Sequence, residues 1–169
     1  LLVAALPISS LADKPKIGLI LPLSGKAALP GETSKNAAIM ANEALGNPLE
    51  LVFEDNALDS TRTISAARKL INVDKVQGLL AYASGPSHAT APIAEMARVP
   101  MVGLSVDPKV SRDRQWAMIH WASNEQVCKR LLAELKKRNI RRIAVITTQV
   151  QGNLDLEELF TRSAQADKL

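Results

Sequence analysis

Apolar and polar positions change period repeatedly along this chain, and the changes divide it into alternating strands and helices. Residues 16–23 (Lys-Ile-Gly-Leu-Ile-Leu-Pro-Leu) form a continuous apolar run, the pattern of a strand covered on both faces. Pro22 and Ser24-Gly25 close it with a turn signal. A helix is predicted over residues 33–45, with Ala37, Ala41, Ala44 and Leu45 on one face and Gly46 as its stop. Residues 49–53 are the second strand, running into Glu54-Asp55-Asn56. Asp59 or Ser60 caps a helix in which Ile64, Ala67 and Ile71 share a face.

The alternation continues. Residues 76–81 make a third strand and 82–87 the loop after it. A helix over residues 87–98 contains Pro92, which removes one backbone bond and predicts a kink. Residues 99–104 and 117–121 are the fourth and fifth strands. Ser123 with Gln126 is a capping-box pattern ahead of an amphipathic helix whose stripe is Val127, Leu131 and Leu135. Lys136, Lys137 and Arg138 complement its negative end, and Asn139 suits a left-handed cap. Residues 142–147 predict a sixth strand, followed by a helix from near Asn153.

Strands and helices in this rhythm imply right-handed crossovers and an α/β fold with a doubly wound parallel sheet. Ligands of such sheets bind beyond the carboxyl ends of the strands. That places Ser24 and Gly25, Asn56, residues 82–87 and residues 105–107 at the candidate site.

Composition narrows the partners. Apolar residues are 47% of the chain, enough for a sizeable core, and aromatic residues only 3%. Stacking platforms for nucleic-acid bases need exposed aromatics among basic residues, so no nucleic-acid partner is expected. A net charge of +4 names no partner. Cys128 is the single cysteine, and its apolar helical position reads as a buried structural thiol. His88 and His120 lie far apart without partners at metal-ligand spacing, so neither a metal nor a cofactor is expected.

Residues 1–12 read as the remnant of a secretory signal peptide: an apolar run ending in Ser10-Leu11-Ala12, ahead of Asp13 and a charged spacer. The run is too short to span a bilayer, and no cysteine follows it to carry a lipid. A basic segment before the run is absent, so the chain is expected to be truncated at its start.

Catalytic motifs are missing. The first strand leads into Leu-Ser-Gly-Lys-Ala, which fits neither a Gly-x-Gly-x-x-Gly turn nor a phosphate loop ending in Lys-Ser or Lys-Thr. Tyr82 occupies the position where a nucleophile elbow around Ser84 needs glycine. Ser84, His88 and Asp107 all lie near predicted strand ends, but a hydrogen-bond donor or cap suits Ser84 better than a nucleophile, and His88 reads as an ordinary first-turn helix residue. Of Glu54 and Asp55, one is expected to face solvent and the other to accept turn hydrogen bonds. The basic run over residues 136–142 reads as a solvated helix end.

Five stretches in this order carry a resemblance: Ile-Gly-Leu-Ile-Leu-Pro-Leu-Ser-Gly from Ile17, Leu-Val-Phe-Glu-Asp-Asn from Leu51, Ala-Pro-Ile-Ala-Glu from Ala91, Val-Pro-Met-Val from Val99, and Arg-Arg-Ile-Ala-Val-Ile from Arg141. In order and spacing the chain resembles the type I periplasmic solute-binding proteins, in particular the branched-chain amino-acid-binding family of ABC importers. That resemblance implies two α/β lobes joined by hinge strands with the solute between them. Residues 13–121 would form the N-terminal lobe, and residues 122–169 would only begin the second.

The resemblance also implies roles. Ser84 and Ser87 stand where the family's serine and threonine meet an amino-acid carboxylate, and Gln151-Gly152 stands where it often has Tyr-Gly. Ser105-Val106-Asp107 replaces the usual Ser-Ala-Thr, and an aspartate at that place repels a carboxylate. The expected solute therefore carries a cationic or amide group near Asp107. The expected ligand-binding set is Ser24, Tyr82, Ser84, Ser87, Ser105, Asp107 and Gln151, with no catalytic residue. The implied protein is a periplasmic component of an ABC importer whose partners are a small polar solute (an amino acid, amide or related molecule) and a membrane permease. The alternative is a periplasmic protein-interaction or ligand-sensing domain of the same fold; outer-membrane activators of peptidoglycan synthases carry a similar first strand.

Overall fold

The structure is a computed structural model that describes residues 13–148 and 151–167. The expected signal-peptide remnant, residues 1–12, lies outside the described residues. Five strands, β1 (Lys16–Leu21), β2 (Glu50–Asp55), β3 (Gly78–Tyr82), β4 (Met101–Leu104) and β5 (Ala117–Ile119), form one sheet in the order β2-β1-β3-β4-β5. Every pairing is parallel. Among the described residues five α-helices accompany them: α1 (Ala28–Ala44), α2 (Ser60–Asn72), α3 (Ser84–Ala97), α4 (Asn124–Lys137) and α5 (Gln151–Ala166). The expected α/β fold with a doubly wound parallel sheet is the fold observed.

The chain winds outward from β1 in both directions, so right-handed crossovers place α1 on the face opposite α2 and α3. Ile20, Leu79, Ala81 and Met101 of the sheet pack with Ala66, Ala67 and Leu70 of α2 and Ala91 and Ala94 of α3. Two glycines let these layers approach closely. A Cβ on Gly18 would meet Leu70 Cδ1 at 2.9 Å, and one on Gly103 would meet Ser87 Oγ at 2.8 Å. A second, separate cluster joins Cys128 and Leu132 of α4 to Phe160 and Ala164 of α5.

Several elements depart from the sequence pattern. α1 begins at Ala28, five residues before the expected Thr33. Pro30 fits within the first turn, where backbone N–H groups have no intrahelical acceptor. Gly31 then fixes the rotation of α1, because a Cβ there would sit 1.9 Å from the Pro22 carbonyl oxygen. With Gly31 turned inward, the expected inner face of Ala37, Ala41, Ala44 and Leu45 is exposed. α3 starts at Ser84 rather than Ser87 and runs through Pro92, which is exposed.

In α4 the capping box forms as read: Gln126 N donates to Ser123 Oγ at 3.3 Å, and Ser123 N donates to Gln126 Oε1 at 3.2 Å. Its inner stripe is rotated by one residue, with Cys128 and Leu132 buried and Val127 and Leu131 exposed. The sixth strand expected over residues 142–147 is not formed. Residues 140–148 carry no regular structure, because among the described residues no strand lies beside them to accept their backbone hydrogen bonds. Ile146 is consequently 97% exposed.

Candidate functional site

The strand order reverses beside β1, so a crevice lies beyond the carboxyl ends of the strands, with the loops after β1 and β3 on its two sides. One part of this edge is closed upon itself. After β1, the Leu23 and Ser24 amides donate to Asp55 Oδ1 at 2.8 and 3.2 Å, and the Ser24 hydroxyl donates to Asp55 Oδ2 at 2.5 Å. The Ala57 amide adds a fourth bond, to Oδ1 at 2.9 Å. Burial opposes ionisation of Asp55, but these hydrogen bonds, led by the Ser24 hydroxyl, outweigh it and hold the carboxyl below the ordinary aspartate value. Asn56, fully buried, donates to Thr63 Oγ1 at 3.0 Å and accepts from the Leu58 amide at 3.1 Å. Asp55 is thus the acceptor of turn hydrogen bonds, while Glu54 pairs with Lys69.

The other part of the edge, beyond β3 and β4, has a donor left over. Ala83 joins β3 to α3 with φ 73° and ψ 159°, a region that only glycine enters without strain. Its amide is held by the Leu104 carbonyl at 3.1 Å. Ser84 follows as the first residue of α3, half-buried. The Asp107 amide donates to Ser105 Oγ at 3.0 Å, and the Ser105 hydroxyl donates to Ser84 Oγ at 3.0 Å. Ser105 is fully buried and its only proton is used. The Ser84 hydroxyl accepts, so its own proton is available to a ligand, beside first-turn amides of α3 that have no acceptor within the helix.

Asp107 is occupied differently from expectation. One carboxylate oxygen faces His88 Nε2 at 2.7 Å, and the other accepts from the Lys109 amide at 2.9 Å, capping the 3-10 turn Pro108–Val110. Burial works against its charge, but the hydrogen bond from His88, with help from Lys109, leaves the carboxyl below the ordinary aspartate value. No hydrogen bond joins Ser84 to His88, so the nucleophile–base link of a triad is not made. Ser87 is fully buried and donates to the Ala81 carbonyl at 3.2 Å, which turns its hydroxyl into the fold. Tyr82 ends β3 and packs edge-to-face on Trp121, with ring centroids 6.2 Å apart.

The wall opposite Ser84 comes from the start of α5. A Cβ on Gly152 would lie 3.8 Å from Ser84 Oγ and 3.4 Å from Val106 Cγ2, so two helix N-termini, those of α3 and α5, converge on this spot. Their partial positive charges favour an anionic group there. The side chain of Gln151 lies outside the described residues. Among the described residues no cluster of three or more His, Cys, Asp or Glu could hold a metal.

A concavity of about 500 Å³ lies elsewhere, between residues 143–148 and the apolar sides of α4 and α5. It reflects the unpaired segment rather than convergent polar groups. A smaller groove of about 300 Å³ adjoins the Ser84 spot and is lined by Asp107, Lys109, Asn124, Asp155, Glu158 and Arg162.

Sequence reasoning put Ser84, Ser105 and Asp107, which hydrogen bonds join, in one ligand-binding set and counted Tyr82 in it. It missed Asn124, whose side chain donates to the Gly152 carbonyl at 3.0 Å, because it reads as an ordinary first helical residue. It also missed the strain at Ala83, which has no sequence signal because alanine is common everywhere.

Comparison with known proteins gives consistent matches. A family model described as periplasmic binding protein matches residues 14–169. A Leu/Ile/Val-binding protein homolog 7 of Brucella abortus is 33% identical over 107 residues, 59% of this chain and 27% of the relative. The leucine binding protein LivK of Thermotoga maritima superposes with a TM-score of 0.77 at 28% identity, over 90% of this chain and 46% of that one. A solute binding protein of an ABC transporter from Rhodopseudomonas palustris, solved with 3,4-dihydroxybenzoic acid, shares the fold with a TM-score of 0.79 at 22% identity, over 90% of this chain and 44% of that one. The chain therefore spans less than half the length of these solved proteins.

Proposed function

The chain belongs to the periplasmic binding protein family, and from that premise we propose that it is the extracytoplasmic solute-binding component of an ABC importer, taking up an amino acid or another small carboxylate. Its physiological partners are that solute and the membrane permease that receives it. A signal peptide delivers the protein to the periplasm, and it transforms nothing that it binds. Residues 13–121 are the N-terminal lobe and residues 122–169 begin the second; the separation of the two hydrophobic clusters supports that division.

The observation that carries this reading is the state of Ser84. Its hydroxyl accepts from Ser105 and keeps its proton for a ligand, where the N-termini of α3 and α5 converge. A carboxylate answers all of these donors at once. The Asp107 oxygens face His88 and the Lys109 amide and so do not take up the Ser84 hydroxyl. One solved neighbour is a leucine binding protein and another was solved with 3,4-dihydroxybenzoic acid; both compounds are carboxylic acids, which agrees with this chemistry. Ser84 is the direct donor, Ser105 orients it, and Tyr82 with Trp121 borders the remainder of the solute.

A thermal-shift panel of L-leucine, benzoate, acetamide and urea tests the proposal. Ligand at a hundredfold excess over its dissociation constant stabilises the native state by about 2.7 kcal/mol. Saturable stabilisation by a carboxylate and none by the neutral amides is expected. Stabilisation by acetamide or urea alone overturns the carboxylate assignment. No shift with any compound moves the reading to a protein-interaction domain of the same fold.

A further inference from the structure

We propose that Asn124 is the positioning residue of the solute site, the side chain that sets how closely the start of α5 stands over Ser84. Asn124 is 8% exposed and joins three elements. Its backbone amide donates to the Val106 carbonyl at 3.1 Å, in the loop after β4. Its Nδ2 donates to the Gly152 carbonyl at 3.0 Å, in the first turn of α5. Gly152 in turn stands within ordinary van der Waals reach of Val106 and Ser84 for any Cβ placed on it. This side-chain bond therefore bridges the two walls of the site.

The surroundings give that bond leverage. The sheet and the α4–α5 pair have separate hydrophobic clusters, so among the described residues no continuous apolar core joins one to the other. Between them runs the polar groove of Asp107, Lys109, Glu125, Asp155, Glu158 and Arg162. Polar seams between separately packed units permit relative motion. Within this seam the Asn124 bond is partly buried and directional, and its acceptor residue Gly152 stands beside Ser84. Gly152 is close enough to Ser84 that a solute reaching the hydroxyl must displace the start of α5 or bear upon it, and Asn124 resists that displacement.

This inference rests on the solute-binding reading for its affinity consequence, but its geometric consequence can be measured without solute. The decisive variant is Asn124→Asp, which keeps the shape and suits a first helical turn but replaces the donor with an acceptor facing the Gly152 carbonyl. Nitroxide labels on Arg68→Cys in α2 and Thr161→Cys in α5, in a Cys128→Ala background, report the spacing of the two units. We expect a single narrow distance distribution with Asn124 and a broader one, shifted outward, with Asn124→Asp.

Leu132→Ala is the comparison variant: it loosens the α4–α5 cluster without touching the bond and is expected to leave the distribution narrow. With L-leucine or benzoate, whichever binds, Asn124→Asp should raise the dissociation rate about five- to tenfold, the effect of one hydrogen bond, and leave the association rate within about twofold. An unchanged distance distribution in Asn124→Asp, or equal broadening in Leu132→Ala, overturns the proposal. If neither solute binds, the solute reading fails, and the distance measurement still decides the role of Asn124.

Discussion

Two parts of one sheet edge use the same residue types to opposite ends. Beyond β1 and β2, Ser24 and Asp55 satisfy each other, and the aspartate also gathers three backbone amides. Beyond β3 and β4, Asp107 is drawn away by His88 and the Lys109 amide, and the serine pair is left with a free proton on Ser84. The first arrangement is a sealed turn and the second leaves a donor over. Role follows from the count of donors and acceptors, not from residue type.

The strongest way to break this contrast is Asp55→Ala. Four donors lose one charged acceptor, and unfolding in denaturant should show a loss of about 3 kcal/mol. Solute affinity, measured by calorimetry, should be unchanged. Lost affinity at normal stability would mean that the two parts of the edge are not distinct. Ser84→Ala should do the reverse: affinity for the bound carboxylate falls about tenfold, while stability changes by less than about 1 kcal/mol.

Ser24→Ala sharpens the contrast from the same residue type. It should cost about 1 kcal/mol of stability, read in the same denaturant titration, and leave affinity alone. The smallest effect is that of acid. Asp55 and Asp107 both titrate below the ordinary aspartate value in the folded protein. The stability this contributes is complete above the unfolded-state value and is lost as pH falls from about 4 through the folded-state values. Asp55→Asn and Asp107→Asn should each flatten the stability profile below about pH 4, with the neutral region serving as the reference.

Local signals carried much of the fold. A continuous apolar run marked β1, because a strand covered on both faces has little room for polar residues, and the Ser123–Gln126 capping box marked the start of α4 to the residue. Rotation about a helix axis was not legible in the same way. The inner face of α1 was decided by Gly31 against the Pro22 carbonyl, a contact between residues whose approach no periodicity reports. Residues 142–147 have a strand's composition and form none, because a strand is completed by its neighbours.

The candidate site divided along the same line. Fold logic placed Ser84, Ser105 and Asp107 at strand ends, since position along an α/β chain is a property of element order. It could not say that Ser87 turns inward to the Ala81 carbonyl, or that His88 takes up Asp107. By itself the sequence determined the parallel α/β architecture and the edge on which the candidate site was sought, because apolar periodicity and crossover handedness are local and general. Only the tertiary structure decided which hydroxyl keeps a free proton and what faces it. Hydrogen bonds are pairwise and directional, and the neighbours of Ser84, Ser105 after β4 and Gly152 of α5, are at least twenty residues away along the chain.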